Sequence, residues 1–199
     1  LNYQPGALWV WKEPERGHEY ILAADVAAGI GTEGDYSCFQ VVDMATCEQV
    51  GEFYSNMVTP HIFAEVVNQV GMYYHAAQVI IENQQDGKVV LNRLVHDQNL
   101  CYENLYWEKA DKAGLTVQLN RSTILDALHY AITAGILKIR SKRLVNEIKT
   151  FEYSHQKRKP MARPGKHDDA VMAMAIAMFI RDESGRRTPP MAVGEFTQV

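Results

Sequence analysis

One segment near the end of the chain restricts the fold more than any other. Residues 170–180 are entirely apolar, with alanines interleaved among bulky side chains, and Asp168 and Asp169 stand directly before them. A helix that is apolar on nearly every side packs inside a protein. Acids in its first turn are favoured by the helix dipole, so helix initiation alone is one interpretation. The alternative is that both carboxylates lie beside the core, where they need a cation or a proton.

The composition fits one α/β domain. The chain has 199 residues, of which 47% are hydrophobic, which is enough for one sizeable core. Its three cysteines have no CxxC spacing, which predicts neither a disulfide framework nor a zinc site. No apolar run reaches the length of a membrane span, and residues 1–17 lack the layout of a signal peptide. We therefore expect a soluble cytosolic protein that does not contact a membrane.

Positive charge is concentrated in one segment. The formal net charge is −4, yet half of the 20 Lys and Arg residues fall between Lys138 and Lys166. Such a run is usually a solvated face, but this one leads directly into Asp168 and Asp169. We interpret it as a surface for a phosphate backbone beside a carboxylate cluster.

The hydrophobic pattern predicts four main strands, over residues 19–26, 36–43, 48–54 and 78–83. The first three are joined by short connections and form an antiparallel meander. The first strand has Asp25 near its end, and the fourth ends in Glu82. Strands that end in acids are the first indication of a site at one edge of the sheet.

Helices are predicted to alternate with these strands. They start at Thr59, Asp86, Arg121, Ser141 and the Asp168-Asp169 pair, and shorter β-like runs occupy 105–107 and 136–139. Residues 1–18 are predicted to be a linker, 153–166 a loop, and 184–199 a flexible tail, which leaves residues 19–183 as the folded domain. The chain contains no GxxxxGK[ST] or GxGxxG phosphate loop, so these residues carry no nucleotide-hydrolysis motif.

The acids suggest a particular chemistry. The C-terminal ends of neighbouring parallel strands form a ligand-binding edge, so Asp25 and Glu82 can lie side by side there. A carboxylate cluster without His or Cys ligands suits Mg²⁺ or Mn²⁺. Two such ions about 3.5–4 Å apart promote phosphodiester hydrolysis. Taken singly, Asp25 is more often a strand-end or turn residue, and Glu82 could cap the following turn.

Three motifs follow one another in a definite order. They are Ala23–Val26 with Gly34–Ser37, then Ile80–Asn83 with Gly87, and then Lys166–Ala173. This order resembles the C-terminal nuclease domain of a tailed-bacteriophage terminase large subunit, and the segment 114–151 resembles the linking region of that family. The resemblance covers about residues 19–182. It implies an RNase H-like fold, with a central mixed β-sheet and an antiparallel three-strand meander flanked by helices.

The resemblance also implies an activity and a set of site residues. It implies a metal-dependent endonuclease that cuts concatemeric double-stranded DNA with little sequence selectivity, using two Mg²⁺ or Mn²⁺ ions. The implied ligands are Asp25, Glu82 and the Asp168-Asp169 pair, of which Asp169 is favoured because Ala-Val-Met-Ala follows it. His167 and Asp35 are possible auxiliary residues, although a helix cap explains His167 at least as well and a turn aspartate is the commoner explanation of Asp35. The candidate DNA contacts are Arg121, Lys157, Arg158, Lys159, Arg163 and Lys166.

The family implies partners as well. A whole large terminase carries an N-terminal ATPase domain, acts with a portal and a small terminase subunit, and works in the host cytoplasm during phage assembly. Because no phosphate loop is present, we expect an excised nuclease domain. Two alternatives stay open: a Holliday-junction resolvase or RNase H-type nuclease on the same fold, and a non-catalytic DNA-binding clamp whose acids are structural.

Overall fold

A computed structural model describes residues 6–27, 36–154, 159–163, 165 and 167–187. Its centre is a five-stranded sheet with the order β1-β4-β3-β2-β5. The strands of this sheet are β1 (Leu8–Val10), β2 (Tyr20–Asp25), β3 (Ser37–Asp43), β4 (Glu48–Ser55) and β5 (Gln78–Ile81). The helices are α1 (Pro60–Tyr73), α2 (Gln85–His96), α3 (Val117–Thr133), α4 (Lys142–Thr150) and α5 (Asp169–Arg187). Two hairpins stand outside the sheet, β6 (Trp107–Lys109) with β7 (Lys112–Ala113), and β8 (Phe151–Ser154) with β9 (Lys159–Ala162).

The sheet is mixed, as the sequence predicts. β2, β3 and β4 pair antiparallel, which confirms the meander. β5 pairs parallel with β2 and places Ile81 opposite Ala24. Because these two strands are parallel neighbours, Asp25 at the end of β2 and Glu82 directly after β5 lie at the same edge of the sheet.

Helices cover both faces of the sheet. Along β2, Ile21 and Ala23 face the core formed with α3, α4 and α5, whereas Leu22 and Ala24 face the core formed with α1 and α2. In α5, every residue from Ala170 to Met178 is buried, and Ala173, Ala175 and Ala177 have no exposed surface. Small side chains let this helix lie close to β2 and β3, so the prediction of a closing helix packed on nearly every side is confirmed.

Two helices begin at the side-chain caps that the sequence predicts. Thr59 accepts a hydrogen bond from the Ile62 amide (3.4 Å) before α1, and Ser141 accepts one from the Leu144 amide (3.1 Å) before α4. The predicted start of α3 at Arg121 is wrong, because the helix begins at Val117. Leu115 is still bridged to Glu82 in extended conformation, and the chain turns into the helix directly after it.

Both ends of the domain contain more regular structure than the sequence predicts. The linker predicted over residues 1–18 includes β1, which pairs with β4 as the edge strand. The loop predicted over residues 153–166 is wrong in part, because Phe151–Ser154 and Lys159–Ala162 pair as a hairpin. The run 136–139 makes only one bridge, between Lys138 and Glu48. The helix α5 continues past the predicted start of the tail to Arg187, and residues 188–199 lie outside the described part.

In the described part of the chain, no helix combines the length and the apolar character that crossing a bilayer requires.

Candidate active site

The acids predicted from the sequence come to one place. Asp25 is the last residue of β2, and Asp169 is the first residue of α5. The Glu82 amide donates to the Ala24 carbonyl (3.2 Å), so Glu82 continues the parallel pairing of β5 with β2. Asp169 is only 8% exposed, and the residues that follow it in α5, from Ala170 to Met178, are all buried. Three separate elements therefore supply acids to one edge of the sheet.

The carboxyl groups are close enough to alter one another's ionisation. Burial raises the pKa of Asp25 well above its usual value, and the charges of Glu82, Asp169 and Asp168 raise it further. Burial also raises the pKa of Glu82. Buried carboxyl groups this close together need a proton or a cation to balance their charge.

Arg121 from α3 provides positive charge at the acids. Its Nη2 lies 3.1 Å from Oδ2 of Asp168, and its charge opposes the rise in the pKa of Glu82. The sequence predicts Arg121 as a DNA contact, whereas in the structure it is an ion-pair partner within the acidic cluster. A role of Arg121 toward DNA stays a prediction.

His167 lies beside the acids. Its Nδ1 is 3.6 Å from Oδ2 of Asp169. Its ring packs edge-on against Tyr36 at 5.0 Å, and Tyr36 stacks on Tyr54 at 4.3 Å. The stacked rings of Tyr36 and Tyr54 thus support the His167 ring beside Asp169. The auxiliary role of His167 stays a prediction.

The basic segment is less available for phosphate than its sequence indicates. Three of its arginines pair with acids within the domain: Arg140 with Glu48, Arg143 with Glu52 and Arg163 with Glu152. Arg163 thus belongs to an exposed pair on the β8–β9 hairpin, and Lys159 belongs to β9. Asp35, Lys157, Arg158 and Lys166 lie outside the described residues.

Sequence reasoning assigned no role to Glu147, an acid within the basic segment. Glu147 is buried on α4, and its Oε2 accepts hydrogen bonds from the amides of Ala170 (2.9 Å) and Val171 (3.2 Å). Tyr54 also donates a hydrogen bond to it. The signal was present, because Glu147 falls on the same helical stripe as the apolar Leu144 and Ile148.

The donor chemistry fits a hard divalent cation, but the site is not preformed. Carboxylate oxygens are the ligands that Mg²⁺ and Mn²⁺ take in proteins. Within the described ranges, no three acid, histidine or cysteine side chains converge tightly enough to hold a metal ion as they stand. One reason is that Asp168 is turned toward Arg121. Coordination therefore requires side-chain rotation around Asp25 and Glu82.

These features define an α/β protein of RNase H-like fold, with acids from two parallel strands and a closing helix gathered at one edge of the sheet. The particular fold is that of large terminase nucleases. The large terminase nuclease of thermophilic phage G20c, solved with bound magnesium, superposes with a TM-score of 0.69 at 20% identity, over 88% of each chain. The nuclease domain of the Thermus phage P74-26 large terminase gives 0.63 at 21% identity, over 86% of this chain and 84% of that one.

A third structure is more distant. The nuclease domain of g2p, the large terminase of bacteriophage SPP1, solved with bound Mn, gives a TM-score of 0.52 at 16% identity, over 84% of this chain and 88% of that one. No protein-family model and no curated protein sequence matches the chain. The comparisons establish the fold and confirm at that level the resemblance drawn from the sequence motifs.

Proposed function

We propose that this chain is the nuclease domain of a bacteriophage terminase large subunit, which cuts concatemeric double-stranded DNA with the help of a divalent metal. The observation that carries the proposal is the convergence of Asp25, Glu82 and Asp169, whose charges and burial raise the pKa of Asp25. It is supported by a fold shared with phage terminase nucleases that were solved with Mg or Mn bound. A structural protein has no evident use for such a cluster, because it destabilises the folded state.

In this proposal each acid has a role. Asp25, whose ionisation all three other acids affect, would be the ligand shared by the metal ions, Glu82 would be the ligand from the neighbouring strand, and Asp169 would complete the site. Asp168 would become available as a further ligand once it leaves Arg121. Two Mg²⁺ or Mn²⁺ ions held there would activate the attacking water and stabilise the leaving oxygen.

In this proposal, basic residues outside the acidic cluster bind and orient the DNA. Basic side chains of the segment 138–166 contact phosphate groups, and such contacts position DNA without reading its bases. We therefore expect little sequence selectivity and binding that weakens steeply with salt. In the complete terminase, the expected partners are an ATPase domain, the portal and a small terminase subunit, and the expected place of action is the host cytoplasm.

The proposal is tested with supercoiled plasmid and the purified chain in Mn²⁺, Mg²⁺ or chelator. We expect nicking and linearisation that require metal and are lost in Asp25→Asn and Asp169→Asn. The matched control is Asp126→Asn, which changes an exposed acid on α3 that makes no contact with the cluster. If both site variants cut as fast as Asp126→Asn, the assignment of the acids is wrong.

The choice of substrate separates the remaining alternatives. Linear duplex, a four-way junction of the same sequence and an RNA–DNA hybrid are offered at equal concentration. A terminase nuclease cuts the plain duplex, whereas a strong preference for the junction or the hybrid indicates a resolvase or an RNase H-type enzyme. A chain that shifts DNA on a gel but never cuts in either metal would favour the clamp.

A further inference from the structure

The first turn of α5 is held by a side chain from another helix. The amide groups that open a helix have no partner within it and need acceptors from elsewhere. Here Oε2 of Glu147 on α4 accepts from the amides of both Ala170 and Val171, at 2.9 and 3.2 Å. Ala170 is fully buried and Val171 is 2% exposed, so water has little access to these amides. The position of this turn therefore depends on where Glu147 lies.

Glu147 is itself fixed from the sheet. Tyr54 of β4 donates a hydrogen bond to it, and the Tyr54 ring is stacked by Tyr36 on one side. The guanidinium of Arg143 lies over the same ring, 4.2 Å from its centroid, and pairs with the buried Glu52 (2.6 Å). A continuous set of contacts thus connects β4 to the first turn of α5.

A buried carboxylate in this place is costly. Burial raises the pKa of Glu147, while the hydrogen bonds from Val171, Tyr54 and Ala170 lower it. A serine or threonine within α5 would satisfy one of these amides at less cost. Such a local cap, however, would not connect α5 to the sheet. Glu147 does so, and it thereby links the element that carries Asp169 to the one that carries Asp25.

We propose that Glu147 is a positioning residue for the metal centre, which fixes the backbone of Asp169 relative to Asp25 by holding the next two amides of α5. The inference rests on the proposed function, because it takes Asp169 as a metal ligand. Residues that orient metal ligands typically change metal affinity by about 10- to 100-fold when they are removed. Glu147 makes its contribution through Asp169.

The test compares Mn²⁺ binding by calorimetry with amide exchange in the whole chain. We expect Glu147→Ala to weaken Mn²⁺ binding by at least about tenfold and to accelerate exchange at Ala170 and Val171. Glu147→Gln keeps a side-chain oxygen that accepts from these amides, so it should stay within about threefold of the native affinity. The matched control is Thr59→Ala, which removes the cap of α1 and should lower stability without changing Mn²⁺ affinity.

Two results would overturn the inference. One is native Mn²⁺ affinity in folded Glu147→Ala, and the other is an equal loss in Glu147→Gln, which would mean that the charge acts and not the position. If Glu147→Ala does not fold, Tyr54→Phe removes one donor to Glu147 and should weaken binding about two- to fivefold, and unchanged binding counts against the inference. If the native chain takes up no Mn²⁺, the proposed function fails, while the amide exchange still decides whether Glu147 holds α5.

Discussion

Replacing Gly87 with alanine tests whether the backbone around Glu82 sets the geometry of the acids. Gly87 lies in the first turn of α2, which packs directly on the Glu82 carbonyl. A Cβ atom at this position would lie 1.9 Å from the Glu82 carbonyl oxygen. Carbon–oxygen contacts start at about 3.3 Å, so helix and strand end must separate by roughly 1.4 Å. The Glu82 carbonyl carbon would lie only 3.1 Å away as well, so the clash is with backbone, which cannot rotate aside as a flexible side chain can.

The expected loss of activity in Gly87→Ala follows from this displacement. Moving a reacting group by 1 Å costs about 100-fold in rate. Overpacking destabilises by about 1–3 kcal/mol, but alanine is better than glycine inside a helix by about 1 kcal/mol. We therefore expect Gly87→Ala to lose about 100-fold in metal-dependent cutting, while the free energy of unfolding falls by only about 0–2 kcal/mol. Activity and stability should thus respond very differently.

The measurement pairs plasmid nicking in Mn²⁺ with thermal unfolding in chelator. Its matched control is Gly71→Ala in α1, where an added Cβ would lie 2.5 Å from the Tyr102 hydroxyl on the opposite face of the sheet from α5. Gly71→Ala should lower the melting temperature and leave cutting per folded molecule unchanged. If Gly87→Ala cuts at the native rate and melts higher than the native chain, helix propensity dominates and the argument for a steric clamp on Glu82 is wrong.

Three further outcomes are expected. Arg121→Gln should tighten Mn²⁺ binding at pH 8 by about threefold, because the Arg121 guanidinium competes with the metal for Asp168. The factor is the one expected for a partly exposed ion pair. Calorimetry that shows equal or weaker binding would exclude the competition. Asp25→Asn should raise the melting temperature of the metal-free protein at pH 8, and this gain should vanish as the pH falls toward about 4. The sign follows because the pKa of Asp25 is raised in the folded state, so its ionisation opposes folding only above its unfolded pKa. Arg143→Met should cost about 3 kcal/mol in urea unfolding by leaving the buried Glu52 carboxylate without its cation, and the double change with Glu52→Gln should recover most of it.

The meeting of the acids at one edge of the sheet was predictable because their signal is local. Asp25 and Glu82 each follow a short apolar strand, and Asp169 precedes an unbroken apolar helix. The fold rules for parallel strands then bring the first two together without knowledge of any contact. The same logic gave the meander and the caps of α1 and α4, which depend on neighbours within a few residues.

What was missed depends on contacts that are distant in sequence. Glu147 shares a helical stripe with apolar residues, but its role depends on hydrogen bonds that form only when α4 packs against α5. The β8–β9 hairpin contains Lys159 and Pro160, which are poor strand formers, and is held by its own pairing. The start of α3 at Val117 follows the bridge from Leu115 to Glu82, a contact that the local pattern around Arg121 does not reveal.

The acids and the residues that hold their backbones have different physical roles. The acids repel one another, so their own interactions cannot hold them together before a cation binds. Their backbones are instead fixed by residues outside the acidic cluster: Glu82 by Gly87 and by the bridge to Leu115, and Asp169 by Glu147 through the amides of α5. This leaves only side-chain rotation for metal binding. Substitutions at Gly87 and Glu147 should therefore act on metal affinity and cutting more strongly than on folding, although neither residue belongs to the acidic cluster.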